Sequence, residues 1–541
     1  MSLILNKFIV LFLLSSAILV ESSQTNNLNS VVISEPEKLV KIDIRHNHEI
    51  KFLAQKGICL ISAFDDFVLA RCNSKTITHL KPLGFNYTIL DDIYSNHEYY
   101  YIWAIDNEAE KAIPHFCKVL YRNNEFFIVR LDETNLEKLI RYRVELAKIT
   151  LDPITIKETT KGYYPVNYNS VVQEIVDRVD SDSVSGFVRR LCNFQTRYSR
   201  TDSCRAAADY IKNQFETYGM DSVYQQIFRP DYASNVIGIK RGTVYPESIY
   251  TVVCGHFDCV SQFPDSFAPG ADDNGSGSAA VLEAARVMQG YNFEYTIRFI
   301  GFSGEEQGLL GSNYYANQAR ILGDSILGVI NVDMVAYALP NRDSASIIGK
   351  PSDPNCEPLV DYFIACADTY TLLKTQRRIM VRPNSDHASF NQYDYMAIHC
   401  RENLNVSNPY YHRTGDTIGS GFNNLEFCSE VIKASVATVA CLAIPQMVGL
   451  SDKNFRRKHA ENKIKIFPNP SSEVLWVINN LNSSENIELK IYDVCGKIIE
   501  SLNKLTDTKM IRLDISSLAP GVYFVQLTSG SETARRKIII R

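Results

Sequence analysis

The strongest constraint on this chain lies between Gly255 and Asp333. Four clusters there place a His or carboxylates where apolar, β-rich runs end: G-H-F-D-C at 255–259, P-G-A-D-D-N-G-S-G at 269–277, F-S-G-E-E-Q-G at 302–308 and I-N-V-D-M at 330–334. Polar groups at strand ends mark the crevice along the carboxyl edge of a parallel sheet. Strands expected at 233–240, 249–254, 296–302 and 326–335, with a small-residue helix from Gly277 to Met288, predict an α/β domain whose mixed sheet is sandwiched by helices. With H-R-T-G-D-T from His412, the domain offers two His and at least three carboxylates, a donor set suited to zinc.

A pair of metal ions needs one carboxylate that can bridge them and terminal ligands on either side. Asp273, in a loop before a helix start, suits the bridge. His256 and Asp333 complete one ion, and Glu306 and His412 the other. Asp258, two residues past His256 in an extended segment, projects to the same side and is placed to accept the second ring N–H of His256. Glu305 adjoins a ligand yet is free to act as general base. Cys254 and Cys259 flank His256 and are read as buried filler, because the oxygen and nitrogen set is already complete. Ser385, Asp386 and His387 are candidates for lining the site.

Around this domain the chain is modular. With 541 residues, it is too long for one core. Residues 1–22 carry one Lys and then an apolar run from Phe8 to Val20, the pattern of a secretory signal peptide. In 23–150, F-V-L-A-R-C-N-S-K-T-I-T-H-L at 67–80 is repeated weakly as F-F-I-V-R-L-D-E-T-N-L-E-K-L at 126–139, each copy a strand, a polar turn and a helix. This α+β segment carries no catalytic constellation and is read as a prosegment, with a permanent N-terminal domain as the alternative, joined through a linker at 151–171 to a domain at 172–448 that opens with two helices. A second linker, 449–463, leads to 464–541, whose period-two alternation predicts a β-sandwich. The apolar stretch from Ala434 to Leu450 contains Pro445 and reads as a buried terminal helix, so no stable membrane span is expected. A net charge of −5 and no basic, aromatic-laced patch argue against nucleic acid. Thirteen Cys in an exported chain suggest disulfides, with Cys192–Cys204 and Cys400–Cys428 as short-range candidates.

In order, G-H-F-D, P-G-A-D-D-N-G-S-G, F-S-G-E-E-Q-G-L-L-G-S, N-V-D-M, S-D-H-A-S-F and Y-H-R-T-G-D-T resemble the secreted di-zinc aminopeptidases of metallopeptidase family 28 over roughly 172–448. The resemblance implies a zinc exopeptidase-like fold and two Zn2+ on His256, Asp273, Glu306, Asp333 and His412. It also implies catalytic carboxylates Asp258 and Glu305, and removal of N-terminal residues from peptide substrates. The C-x-Y-x-C loop that some secreted members place at the substrate pocket is absent, so side-chain preference does not transfer; Met334, Leu404 and Tyr411 are candidate pocket residues. Glutaminyl cyclases and acidic-peptide carboxypeptidases share the scaffold, as do non-catalytic receptor-like relatives. From 464, F-P-N-P, I-Y-D-V-C-G-K and L-A-P-G-V-Y resemble the type A sorting domain of the type IX secretion system. That implies export through the periplasm of a Gram-negative bacterium, to the surface or the medium.

Overall fold

The computed structural model describes residues 36–46, 48–64, 66–93, 96–154, 166–349, 356–379, 384–446, 464–467, 471, 474–479, 487–493, 497–505, 510–529 and 532–540. The leader at 1–22, residues 155–165 of the first expected linker and all of the second lie outside the described residues.

The N-terminal α+β segment repeats a larger unit than the sequence suggested. Its first half runs strand Lys38–Asp43, helix His48–Gln55, strands Cys59–Ala63 and Phe67–Cys72, helix Ser74–Leu80 and strand Tyr87–Asp92. The second half repeats this as Tyr99–Ala104, Asn107–Phe116, Lys118–Arg122, Phe127–Arg130, Glu133–Leu139 and Val144–Ile149. In each half the four strands lie in the spatial order second, third, first, fourth, giving the split β-α-β-β-α-β arrangement twice. The turns visible as N-S-K-T and D-E-T-N are helix caps: Asn73 accepts from the Thr76 N–H and Asp132 from the Asn135 N–H. The two sheets meet through Phe64, Phe67, Tyr101, Trp103 and Phe126, and Leu309 of the central domain packs into the same seam.

The central domain opens with three helices, Ser170–Asp177, Ser181–Cys192 and Asp202–Thr217, where two were expected. The additional one, S-D-S-V-S-G-F-V-R-R-L-C, is Ser-rich with a Gly, so its propensity is weak. Its packing through Val184, Phe187, Val188 and Leu191 against the core makes it a helix. The eight-stranded sheet runs, in spatial order, Lys374–Ile379, Ser344–Gly349, Ala397–Arg401, Ser325–Val332, Ile249–His256, Thr296–Phe302, Asn235–Lys240 and Ser222–Gln226. The four middle strands from Ala397–Arg401 to Thr296–Phe302 are mutually parallel, and antiparallel neighbours flank them. Ile249–His256 is buried along its whole length, as a strand covered on both faces must be. The helix Gly275–Met288 lies close on it; a Cβ on Gly277 would stand 2.0 Å from the Val332 carbonyl oxygen, so only Gly permits that approach. The final helix is Leu425–Ala443, and among the described residues no helix is long and apolar enough to cross a membrane.

Two expectations fail on cysteine. None of the described cysteines, Cys192, Cys204, Cys400 and Cys428 included, is in a disulfide. Closeness in sequence does not align two Cβ vectors: the Cys400 thiol faces Ser435, while Cys204 is buried in the core and faces Ser303.

At the C-terminus, Ile464–Phe467, Val474–Asn479 and Met510–Asp514 form one sheet. Ile487–Asp493, Ile498–Leu505, Gly521–Ser529 and Glu532–Ile540 form another, and the two close on Leu475, Val477, Leu489, Val525 and Ile538. The alternation is real: Ile487, Leu489 and Ile491 are buried while Glu488 and Lys490 between them are not.

Candidate metal centre

Parallel order puts the carboxyl ends of the four middle strands side by side; His256 is the last residue of its strand, and the loops leaving two others carry Glu305 with Glu306, and Asp333. Asp273 arrives on the loop before the Gly275 helix, and His412 on the long connection after Arg401. All six side chains are buried. His256 Nε2 lies 3.4 Å from Asp273 Oδ1, 3.4 Å from Asp333 Oδ1 and 3.9 Å from Glu305 Oε2. His412 Nε2 lies 3.2 Å from Asp273 Oδ2 and 3.0 Å from Glu306 Oε2. The one Asp273 carboxylate therefore turns an oxygen to each imidazole.

The two 3.4 Å separations at His256 suit ligands of one ion better than hydrogen-bond partners. Donor atoms at ~2.0–2.2 Å from a tetrahedral ion stand roughly 3.3–3.6 Å from one another. Asp273 Oδ2, Glu306 Oε1 and Asp333 Oδ1 are buried without a hydrogen-bond partner. Native proteins seldom leave such oxygens unmatched. The proton affinities agree. Burial pushes Glu305 well above the usual carboxylate range, opposed by His256 and reinforced by Glu306, Asp333 and Asp386; burial likewise raises Glu306 to about 7. Burial disfavours a charged His412, but Glu306 and Asp273 override it and push the ring up to about 10. Four carboxylates around two imidazoles leave the cluster short of positive charge, and divalent cations fit that deficit.

The supporting shell differs in part from the expected one. His256 Nδ1 is 3.1 Å from the Asp258 carbonyl oxygen but 3.6 Å from its carboxylate, so the main chain takes the ring N–H. The Asp258 carboxylate is engaged elsewhere, accepting Ser199 Oγ–H at 2.7 Å and the Glu305 and Glu306 N–H groups at 3.4 and 3.3 Å. It thus holds the Glu305–Glu306 turn, which Gly304 enters at φ 74°. Cys254 and Cys259 are turned away, toward Asn331 and the Ala268 carbonyl. Of the S-D-H group, Ser385 donates to Asp333 Oδ2 at 2.7 Å, and Asp386 is buried in the field of His256, its carboxyl raised by burial to about 7.

Several residues escaped the sequence reading. Arg197, fully buried, donates to the carbonyls of Phe257, Pro269 and Gly270 at 2.7 Å each, binding the His256 and Asp273 loops together. Asp416 accepts the Asp272 and Asp273 N–H groups at 3.0 Å, which ties the His412 motif to the bridge loop. Asn274 joins the Val332 carbonyl to the Gly277 N–H. His399 Nε2 stands 3.7 Å from Asp333 Oδ2. Asp416 and Asn274 sit inside motifs already singled out and could have been found there; Arg197 carried no local signal. Met334 and Tyr411 lie at the cluster's edge, whereas Leu404 is drawn to the Ser344–Gly349 strand through Ser346 Oγ.

The N-terminal segment reaches this site. Arg143 Nε donates to the Tyr411 carbonyl at 3.0 Å and the Lys148 N–H to the Gly308 carbonyl at 3.3 Å. Between them a cavity of about 560 Å³ is lined by Asp106, Lys138, Arg143, Gln262, His412 and Arg413 among others.

A mixed sheet between helices, with this cluster on the carboxyl edge of its parallel strands, is the fold of the zinc exopeptidases. In solved structures it is matched by the Legionella pneumophila LapA aminopeptidase, with a TM-score of 0.54 and 22% identity over 64% of this chain and 98% of that one. Residues 235–432 match the profile of peptidase family M28 and residues 465–541 that of a secretion system C-terminal sorting domain. The chain carries both domains. A "Probable leucine aminopeptidase" of Arthroderma otae is 28% identical over 307 residues, 53% of this chain and 82% of that protein. A "Probable zinc metalloprotease" of Leptosphaeria maculans is 31% identical over 194 residues, 32% of this chain and 45% of that protein.

Proposed function

We propose that this chain is an exported zinc aminopeptidase that removes N-terminal residues from peptides. The observation that carries the reading is Asp273, whose two oxygens face His256 and His412 at 3.4 and 3.2 Å. His256 and Asp333 would hold one ion, Glu306 and His412 a second, and Asp273 both. When bound, zinc supplies the positive charge that polarises the scissile carbonyl and acidifies a water.

The chain's own groups do the rest. Glu305, whose buried carboxyl is avid for protons, takes a proton from the attacking water as the C–O bond forms. It returns that proton to the amine as the C–N bond breaks. Asp258 is a positioning residue: through the Glu305 and Glu306 N–H groups it orients both carboxylates. Asp273, Glu305 and Asp333 offer negative charge to the substrate's α-ammonium group.

The remaining segments fit export and maturation. Residues 1–22 would be a signal peptide, 23–150 a prosegment removed at the linker, and 464–541 the tail that engages the type IX machinery of a Gram-negative bacterium. The deciding experiment is zinc per chain measured together with hydrolysis of aminoacyl anilides before and after chelation. Two zinc per chain and chelator-sensitive turnover are expected; turnover that survives complete zinc removal overturns the reading.

A further inference from the structure

Arg401 ends the Ala397–Arg401 strand, beside the segment that leaves Asp333. Its Nη2 is 3.2 Å from Met334 Sδ, and its guanidinium lies 5.7 Å from the centre of the Tyr411 ring, which in turn sits 3.9 Å from the His412 ring. A guanidinium here is costly unless an anion meets it. Among the described residues no carboxylate forms an ion pair with it. The neighbouring acids are committed: Asp333 to His256 and Ser385, and Glu402 Oε2 to the Tyr337 N–H at 2.9 Å.

One acid of the other domain acts on it electrostatically without pairing with it. Along Val144–Ile149, Val144 and Leu146 point into the N-terminal core, and Ala147 and Ile149 point into the seam that holds Leu309. Glu145 alternates with the former pair, so it faces the seam, 8% exposed and with Oε2 lacking a hydrogen-bond partner. It lies between the two anchors, Arg143 on the Tyr411 carbonyl and Lys148 on the Gly308 carbonyl. Of the acids around Arg401 and around Tyr411, Glu145 acts most strongly on both.

We propose that Arg401 is the specificity-determining residue of the site, receiving the side-chain carboxylate of an N-terminal Asp or Glu of the substrate, and that the unpaired charge of Glu145 disfavours such a carboxylate while the N-terminal segment is docked. The inference rests on the aminopeptidase reading. Its basis is position: Arg401 touches Met334, the residue after Asp333, and Tyr411, the ring before His412, both beside the candidate metal ligands. A planar guanidinium matches a carboxylate with two parallel hydrogen bonds, and a site built for such a partner discriminates against apolar analogues lacking it.

The test compares glutamyl and leucyl anilides, which have no free C-terminal carboxylate, on the zinc-loaded full chain cut between the N-terminal and central domains. The glutamyl substrate is expected to lead by at least about tenfold in kcat/KM, and Arg401→Leu to lower that ratio by about 100-fold, through KM. A ratio within about twofold of wild type in Arg401→Leu overturns the proposal. Should that variant fail to fold, Arg401→Lys, which keeps charge but loses the fork, is expected to lower the ratio severalfold; an unchanged ratio there sinks it equally. Calorimetry with L-glutamate and L-leucine gives an independent reading. Wild-type cut chain should bind glutamate more tightly, and in the uncut chain Glu145→Gln should raise glutamate affinity at least about fivefold; no gain removes Glu145 from the account. If neither anilide is cleaved by zinc-loaded protein, the aminopeptidase reading falls, while the calorimetry still reports whether Arg401 selects a carboxylate.

Discussion

Glu305 and Glu306 share a peptide bond, yet their carboxylates approach different imidazoles, Glu305 Oε2 at 3.9 Å from His256 Nε2 and Glu306 Oε2 at 3.0 Å from His412 Nε2. Asp258 takes both of their N–H groups, so one buried carboxylate sets the direction of each. Identical chemistry is thereby split into two positions, and mutation can tell them apart.

Glu306→Gln replaces an anionic donor with a neutral one, so zinc content and turnover are expected to fall together. Glu305→Gln keeps size and polarity but takes up no proton. Zinc should be retained while kcat drops by roughly 10²–10⁴-fold, a loss of about 3–5 kcal/mol. Metal analysis and kinetics on the same samples decide it; full zinc with near-normal turnover in Glu305→Gln would falsify the base assignment.

The contacts of Arg143 and Lys148 on the loops bearing His412 and Glu306 predict latency. Chain cut between about 150 and 172 should hydrolyse anilides faster than uncut chain. Equal turnover of the two forms rules out an inhibitory role for the N-terminal segment.

Arg197 supplies three buried carbonyls with donors. Arg197→Met leaves those acceptors unmet, at about 1–3 kcal/mol for each group less what relaxation recovers. A thermal midpoint lowered by several degrees is expected, with weakened zinc retention because the His256 and Asp273 loops separate. An unchanged midpoint would show that the three bonds contribute nothing net.

None of the described residues of 464–541 belongs to the candidate metal cluster. Removing it should leave anilide turnover of the purified protein intact and stop export from the producing cell. Normal extracellular levels of the truncated chain would exclude the sorting role.

Much of the site was legible because its chemistry is carried by short, local motifs. His256, Glu305, Glu306 and Asp333 each follow an apolar strand, and strand order alone brings those ends together. The repeat at 67–80 and 126–139 was legible for a similar reason, since a capped helix after a strand leaves a compact signature. What surrounds those motifs was not. The Ser181–Cys192 helix depends on packing that overrides its weak propensity, and the cysteine pairs looked plausible only because spacing says nothing about Cβ direction.

By itself the sequence determined the mixed sheet between helices, the resemblance of the central domain to peptidase family M28 and which residue types stand at its strand ends. All of these follow from periodicity, turn chemistry and motif spacing, which are local properties. Tertiary structure alone decided that Asp273 turns one oxygen to each imidazole, that Arg197 and Asp416 lock the segments carrying them, and that Arg143 and Lys148 of the N-terminal segment reach the Tyr411 and Gly308 carbonyls. Such pairings join residues up to hundreds of positions apart. They are set by how packed layers meet, and no window along the chain contains both partners.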